Sequence, residues 1–380
     1  MEYFTTIGID VSDRKSKICV MQKMLNGERK ILFETTCTTS HAGFESVLAK
    51  YDRSIPVIFE TGTHCRWMDK FFRELGFKTI VANPNLIPSI TKSNKKNDRN
   101  DARELARLGI ADMEMLHPVL LREDIYQKML CLHSARKMLM KQRTSIINMI
   151  RGFAKTRGVR IECTSTEKFH ELDKSNFTPE LEDIIWPCIE ELRSTNENIK
   201  KYDEKIAALA KEPQFKKMVE RVCEVYGVGI IGATAFIAAI GGRPERFARS
   251  RDVGAYLGLV PKQDQSGDTD KQLHITHAGS SFVRSVLVEC AGVVMQSNAK
   301  RTDIKLKGLR IAMSGGKMAR NKAKVAVARC LATTMIALLN NPEREYVLLS
   351  KDGEAGFKLY DAEMENRTMK KSAKKDAKVA

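Results

Sequence analysis

The sequence predicts an α/β domain over residues 1–118 and a mostly helical remainder. Three observations carry this: short strand-like segments alternate with short helices up to about residue 110, long 4-3 apolar repeats replace them afterwards, and Gly-rich apolar helical segments follow after Pro213. Taken in order, FTTIGIDVS is a strand, and KSKICVMQKML and KILFETTC are two more, joined at the turn Asn26-Gly27. HAGFESVLAKY reads as a helix, IPVIFET as a buried strand, HCRWMDKFFRELG as a helix closed by Gly76, KTIVAN as a last strand and NDARELARLG as a last helix. Three strands, then helix, strand, helix, strand, helix is the element order of an RNase H-like fold.

In such a fold the first and fourth strands are neighbours, so Asp10, in the first strand, and Glu60, ending the fourth, can face each other. Asp98 and Asp101 approach from the last helix. They stand three apart, so both project from nearly one face, about one turn apart. Carboxylates crowded in this way repel unless a divalent cation or flanking Lys and Arg offsets the charge. A helix start with acids in its first turn explains the pair alone, but Asp10 and Glu60 would each be a polar group in an apolar strand without a reason. Four converging acids predict an Mg²⁺ or Mn²⁺ site, because hard cations take carboxylate oxygens.

Residues 119–212 predict a helical coiled-coil connector. Apolar or long side chains recur at 125, 129, 132, 139, 146, 150 and 153, with Arg136 and Arg143 filling the two missing steps, and again from 181 to 209. The pattern fits an antiparallel hairpin or a dimerising surface.

Residues 213–345 predict a mostly α C-terminal domain. Gly227-Val-Gly229 leads into a helix ending near Gly241, a helix-hairpin-helix-like segment whose free N–H groups suit a phosphate. The segment PKQDQSGDTDKQ, polar and set between apolar helices, reads as a flexible loop exposing Ser266; His274, His277 and Arg284 follow nearby. A nucleophilic serine needs a base or metal to take its proton and cations to hold the phosphate. Residues 346–380 read as a basic, flexible tail.

The 380 residues carry a formal charge of +17, which favours a polyanionic partner. The run from Lys300 to Lys324 is densely basic. Candidate nucleic-acid contacts are Lys95, Lys96, Arg99, Gly227, Gly229, Arg284, Lys300, Arg301, Lys305, Lys307, Arg310, Lys317 and Arg320. Nine scattered cysteines without C-x-x-C pairs argue against a disulfide framework and a zinc knuckle and read as reduced core thiols. The absence of an apolar run near bilayer-spanning length and of a signal-peptide pattern leads to a cytoplasmic expectation with no membrane partner.

Together the GIDVS strand, the VIFETG strand, the KNDRNDA helix, GVGIIGATAFIAAIG and LGLVPKQDQSG…ITHAGSSFVRSVL resemble the DEDD transposases of the bacterial insertion-sequence one-hundred-and-ten family, from about residue 4 to 340. Pilin-gene invertases share these blocks. The resemblance implies a RuvC-like domain in which Asp10, Glu60, Asp98 and Asp101 hold the metal, a connector, and a C-terminal domain whose Ser266 bonds covalently to DNA. It also implies sites shared between protomers of a dimer or tetramer, a structured guide RNA pairing with donor and target DNA, and action at the nucleoid. The family helix commonly reads Lys-Thr-Asp where this chain has Lys96-Asn97-Asp98, which leaves both acids in place. The alternatives are an invertase of the same family, a metal nuclease of junction-resolving type in which Ser266 is incidental, a sugar-kinase-like ATPase, for which no phosphate loop is found, and a non-enzymatic RNA-binding protein.

Overall fold

The structure is a computed structural model that describes residues 4–87, 98–162, 165–172, 177–266 and 269–376; for Asn85, Asp98, Asp264, Ser266, Thr269–Gln272 and 370–376 it describes the backbone alone. Lys95 and Lys96 lie outside the described residues, as do Gly267 and Asp268. Chain contacts divide it into two units, Met1–Arg122 and Glu123–Ala380. Of the connector expected over 119–212, residues 123–212 fall in the same unit as the C-terminal residues and 119–122 in the first.

In the first unit the expected elements form in the expected order: β1 (Phe4–Asp10), β2 (Lys15–Lys23), β3 (Arg29–Thr38), α1 (His41–Leu48), β4 (Val57–Glu60), α2 (Cys65–Glu74), β5 (Thr79–Ala82) and α3 (Asp98–Ala111). The mixed sheet runs β3-β2-β1-β4-β5. β1 is antiparallel to β2 and parallel to β4, so the first and fourth strands are indeed neighbours. Alternation along the strands gives the sheet two apolar faces. Ile7, Ile9, Ile18, Val20 and Phe59 pack with Phe44 and Leu48 of α1 and Met68 and Phe72 of α2. The opposite face carries α3.

Gly8 decides how closely α3 can approach. A Cβ there would stand 2.2 Å from the carbonyl oxygen of Ala102 and 2.6 Å from the amide nitrogen of Ala106, so the helix backbone rests on the strand itself. Thr6 Oγ1 donates to Ala106 O at 2.8 Å in the same seam.

The second unit begins with two long helices, α4 (Asp124–Thr156) and α5 (Pro179–Ala210). They run antiparallel within the chain: Arg136 pairs with Asp203, Arg143 Nη1 donates to Asn196 Oδ1 at 3.4 Å, and Arg157 Nη1 meets Glu180 Oε2 at 2.7 Å. The two arginines that interrupt the apolar repeat thus reach across the seam. Ile147, Ile150 and Ala154 pack with Leu181, Ile185, Ile189 and Leu192.

α6 (Pro213–Cys223), α7 (Ile230–Ile240), the short α8 (Val253–Tyr256), α9 (Ser281–Val294), α10 (Asp303–Ala312) and α11 (Gly316–Asn340) follow. α7 is buried along nearly its whole length among α4, α5, α6 and α9. The expectation of no apolar run near spanning length needs correcting, because α11 is long and apolar enough by composition. It is a core helix here: Ala323, Val327, Leu331, Ala332, Met335 and Ile336 are buried in the largest apolar cluster.

Two further expectations are corrected. The segment around Ser266 is a two-stranded antiparallel ribbon, β6 (Pro261–Ser266) with β7 (Thr269–Ile275), rather than a loop. Its strands are polar and carry few β-branched residues, so cross-strand pairing supplies what propensity does not. The tail contains a helix, α12 (Lys351–Asp376). Phe357 is buried, Asp303 accepts from the Ser350 amide, and Gly356 lets α12 close on Leu306. Among the eight described cysteines none is bonded to another; Cys19, Cys65 and Cys290 are buried, but Cys131 is exposed, so not all are core thiols.

Candidate active site

The site is best built from one cross-strand row. Glu34, Cys19, Gly8, Ile58 and Ile80 are register partners across β3, β2, β1, β4 and β5. Gly8 lies under the α3 backbone, and Ile58 and Ile80 pack against Leu105 and Leu108. This row therefore faces α3.

Residues two further along each strand face the same way. On β1 and β4 those residues are Asp10 and Glu60. Because Ile9 is partnered with Phe59, Asp10 and Glu60 stand side by side at the C-terminal ends of neighbouring parallel strands, with backbones about 4.8 Å apart. Each follows a run of at least three buried strand residues, and each is itself half-buried.

Helix α3 runs against this direction. Ala106 sits over Thr6 and Ala102 over Gly8. Four helical residues rise about 6 Å and two strand residues about 6.6 Å, so the same step brings the start of α3 level with Asp10. Asp101 is only 8% exposed. It shares the helix flank of Leu105 and Leu108, the flank that covers β4. The positive end of the helix dipole lies at this end of the sheet and eases the crowding of carboxylates.

The loops that follow the two acidic strand ends are tied together. Trp67 Nε1 donates to His64 Nδ1 at 3.0 Å, which leaves the His64 Nε2–H to donate to Asp13 Oδ1 at 3.1 Å. Lys17, the cross-strand partner of Asp10, gives its ammonium to Thr36 Oγ1 at 2.7 Å.

Asp10, Glu60 and Asp101 are thus carried to one end of one sheet face, and the Asp98 side chain lies outside the described residues. Among the described residues no three His, Cys, Asp or Glu side chains form a group that could hold a metal ion. The donor chemistry fits Mg²⁺ or Mn²⁺: every acid is an oxygen donor, two are anchored on adjacent strands, and Asp101 is buried despite its charge.

In the second unit Ser266 ends β6 with Thr269 as its partner, and its side chain lies outside the described residues. Arg284 anchors the base of this ribbon. The sequence assigns it to nucleic acid, but it is 8% exposed and donates to the carbonyls of Leu257, before β6, and of Ala278 and Gly279, after β7. All three of these bonds come from Nη1, which is turned inward. Lys305 needs the same correction: it is 6% exposed, and its ammonium donates to the carbonyls of Gln296, Ser297 and Ala299. Neither can meet a phosphate without dismantling these contacts.

The remaining candidates divide. Gly227 has a positive φ of 90°, and a Cβ there would stand 2.5 Å from Val294 Cγ2, so packing on α9 explains it. Gly229 is the exposed N-cap of α7, with open space around it. Lys300, Lys307, Arg310, Lys317 and Arg320 are exposed, whereas Arg301, also exposed, pairs with Asp361 at 2.9 Å.

Arg99 is likewise engaged. Its Nε and Nη2 donate to Glu34 Oε2 at 2.9 and 2.5 Å, and Arg103 Nη2 and Nε reach Glu34 Oε2 and Oε1 at 2.8 and 2.5 Å. The hydrogen bonds from Arg103 first, then Arg99, hold the Glu34 carboxyl down at about 2, against the opposing effect of burial. Burial first, and the Glu34 charge second, pushes the adjacent Cys19 thiol up to about 12. Sequence reading missed Glu34. Its signal was an acid in a strand matched by two arginines four apart on a helix.

Comparison with known proteins finds matches in both parts of the chain. A family model for the DEDD domain of IS110 transposases, described as "Transposase", matches residues 7–156, and the model "Transposase IS116/IS110/IS902 family" matches residues 219–305. The transposase for insertion sequence element IS1111A of Coxiella burnetii is 27% identical over 350 residues, 90% of this chain and 92% of that protein. The transposase for insertion sequence element IS1328 of Yersinia enterocolitica is 25% identical over 248 residues, 63% of this chain and 71% of that protein.

Proposed function

Because the chain belongs to the IS110 family of transposases, we propose that it cuts and rejoins DNA strands through a covalent phosphoserine intermediate on Ser266. The observation that carries the reading is the placement of Asp10 and Glu60 on neighbouring strand ends beneath the helix that bears Asp98 and Asp101. The sheet order, β3-β2-β1-β4-β5 with α3 across it, supports reading the first unit as an RNase H-like, RuvC-like domain.

Asp10, Glu60, Asp98 and Asp101 would hold Mg²⁺ or Mn²⁺, which supplies positive charge to a phosphodiester whose oxygens become more negative during exchange. The Ser266 hydroxyl oxygen bonds to phosphorus, the bond from phosphorus to one deoxyribose oxygen breaks, and the departing oxygen takes a proton. A hydroxyl of a second strand end reverses the step and frees the serine. Each exchange makes one phosphodiester bond for one lost, so no nucleotide hydrolysis is needed.

Lys300, Lys307, Arg310, Lys317 and Arg320 are exposed and supply the positive surface for donor and target DNA and for a structured guide RNA. The acids and the serine come from different protomers of a homo-oligomer acting at the nucleoid. α4 and α5 serve as the coiled-coil arm of that assembly.

The test is adduct trapping. Full-length protein with Mn²⁺, element-junction DNA and the flanking non-coding transcript should give a denaturant-resistant protein–DNA adduct. Ser266→Ala should abolish it and Asp101→Asn should reduce it at least a hundredfold. An undiminished adduct with Ser266→Ala refutes the serine assignment.

A further inference from the structure

We infer that Glu34 is a positioning residue for the acidic site: by gripping Arg99 and Arg103 it sets the roll of α3 and keeps two guanidiniums away from the carboxylates beside them. The inference rests on the reading of Asp10, Glu60, Asp98 and Asp101 as metal ligands.

Helix α3 lies on the sheet along a narrow ridge. Ala102 and Ala106 sit directly on Gly8 and Thr6, with no large side chain between helix and strand. A helix seated on a ridge of small residues can roll about its axis unless both flanks are held. On one flank Leu105 and Leu108 pack on Ile58 and Ile80. On the other, over the outer strands, Glu34 accepts from both Arg99 and Arg103.

This grip acts on the turn that matters. Arg99 and Arg103 each lie two residues from Asp101, one on either side, and span the first turn of α3. A side-chain oxygen about 6 Å from a helix axis moves by about 2 Å for a roll of 20°. A metal ligand tolerates about 0.2 Å. A small roll is therefore enough to remove Asp101 from a shared ion without unfolding anything.

The second part of the role is electrostatic. Bidentate pairing with carboxylates is what guanidiniums favour. Released from Glu34, Arg99, at the start of α3 and so level with the end of β1, would be a guanidinium without that partner beside the acidic end of the sheet, and a carboxylate paired with arginine is a poorer metal ligand. Glu34 is 14% exposed at its side chain and is held ionised far below neutral pH by its partners. Glu34 therefore keeps the charge that the grip requires at neutral pH.

The test uses full-length protein without DNA and reads Mn²⁺ binding by electron paramagnetic resonance, with the unfolding midpoint and amide exchange of α3 measured in parallel. Asp101→Asn should weaken Mn²⁺ binding at least a hundredfold. Glu34→Gln should weaken it about tenfold and speed exchange in α3 ahead of the rest of the first unit, with the protein still folded although its midpoint falls. The exchanged pair Glu34→Arg with Arg103→Glu should recover most of that loss. If Asp101→Asn binds Mn²⁺ as the parent does, the metal reading itself fails. If Asp101→Asn loses binding while Glu34→Gln keeps it, the positioning role is overturned and the metal reading stands. Should Glu34→Gln not fold, the double substitution Arg99→Lys, Arg103→Lys keeps the charges but not the bidentate fit. Unchanged Mn²⁺ binding in that variant also overturns the role.

Discussion

Gly8→Ala isolates the close contact on which the site's geometry depends. The new Cβ would stand 2.2 Å from Ala102 O and 2.6 Å from Ala106 N, and both obstacles are backbone atoms. Helix α3 would have to withdraw by about 1.2 Å to reach ordinary contact at 3.4 Å. Overpacking of this kind costs about 3 kcal/mol when side chains cannot move aside. Stretching the buried Thr6–Ala106 hydrogen bond adds about 1 kcal/mol. Gly109→Ala is the control. Its Cβ would meet Ile58 Cδ1 at 2.1 Å, the far end of a buried side chain rather than backbone, and alanine regains about 1 kcal/mol of helix propensity, so the net loss should be no more than about 2 kcal/mol. The chain has two tryptophans, Trp67 in the first unit and Trp186 in the second, so Trp67 fluorescence in a Trp186→Phe background reports the first unit alone. With a urea slope of about 2 kcal/mol/M, Gly8→Ala should lower the midpoint by about 2 M. A midpoint lowered no more than that of Gly109→Ala refutes the seating of α3 on β1.

Three further outcomes follow from the same geometry. The Glu34 carboxyl is lowered from 4.5 to about 2, so its contribution to stability is complete above pH 4.5 and lost as the pH falls toward 2; acid titration of Trp67 fluorescence should show this limb, and Glu34→Gln should lack it. Arg284→Met leaves carbonyls on both sides of the Ser266 ribbon without their donor, and should cost about 3 kcal/mol in urea unfolding and reduce adduct formation. Lys305→Met should lower stability by about 2 kcal/mol while leaving the salt dependence of DNA binding unchanged, whereas Lys317→Ala with Arg320→Ala should lower the log–log salt slope by about 2 in filter binding.

The first unit was legible because its signals were local. Alternating strands, the Asn26-Gly27 turn and Gly76 after α2 each mark an element by chemistry within a few residues. The position of Asp10 beside Glu60 followed from strand order alone. What escaped depends on partners distant in sequence. β6 and β7 are polar strands that stand only by pairing with each other. α12 was hidden by the basic composition at its far end, although Phe357 and Gly356 dock its near end on α10. Arg284 and Lys305 looked like phosphate ligands because composition counts charges and cannot tell which are turned inward to carbonyls. Arg99 differs from these two: it is exposed but paired, and its partner Glu34 lies on a strand 65 residues away, beyond the reach of local sequence signals.

The most direct measurement is an anomalous-difference map of the DNA-bound assembly grown with Mn²⁺. The account predicts a peak coordinated by Asp10, Glu60 and the acids of α3, with the Ser266 oxygen of the same or another protomer bonded to a phosphate beside it. A map with no peak at the ends of β1 and β4, or with Ser266 far from every peak in all protomers, would contradict it.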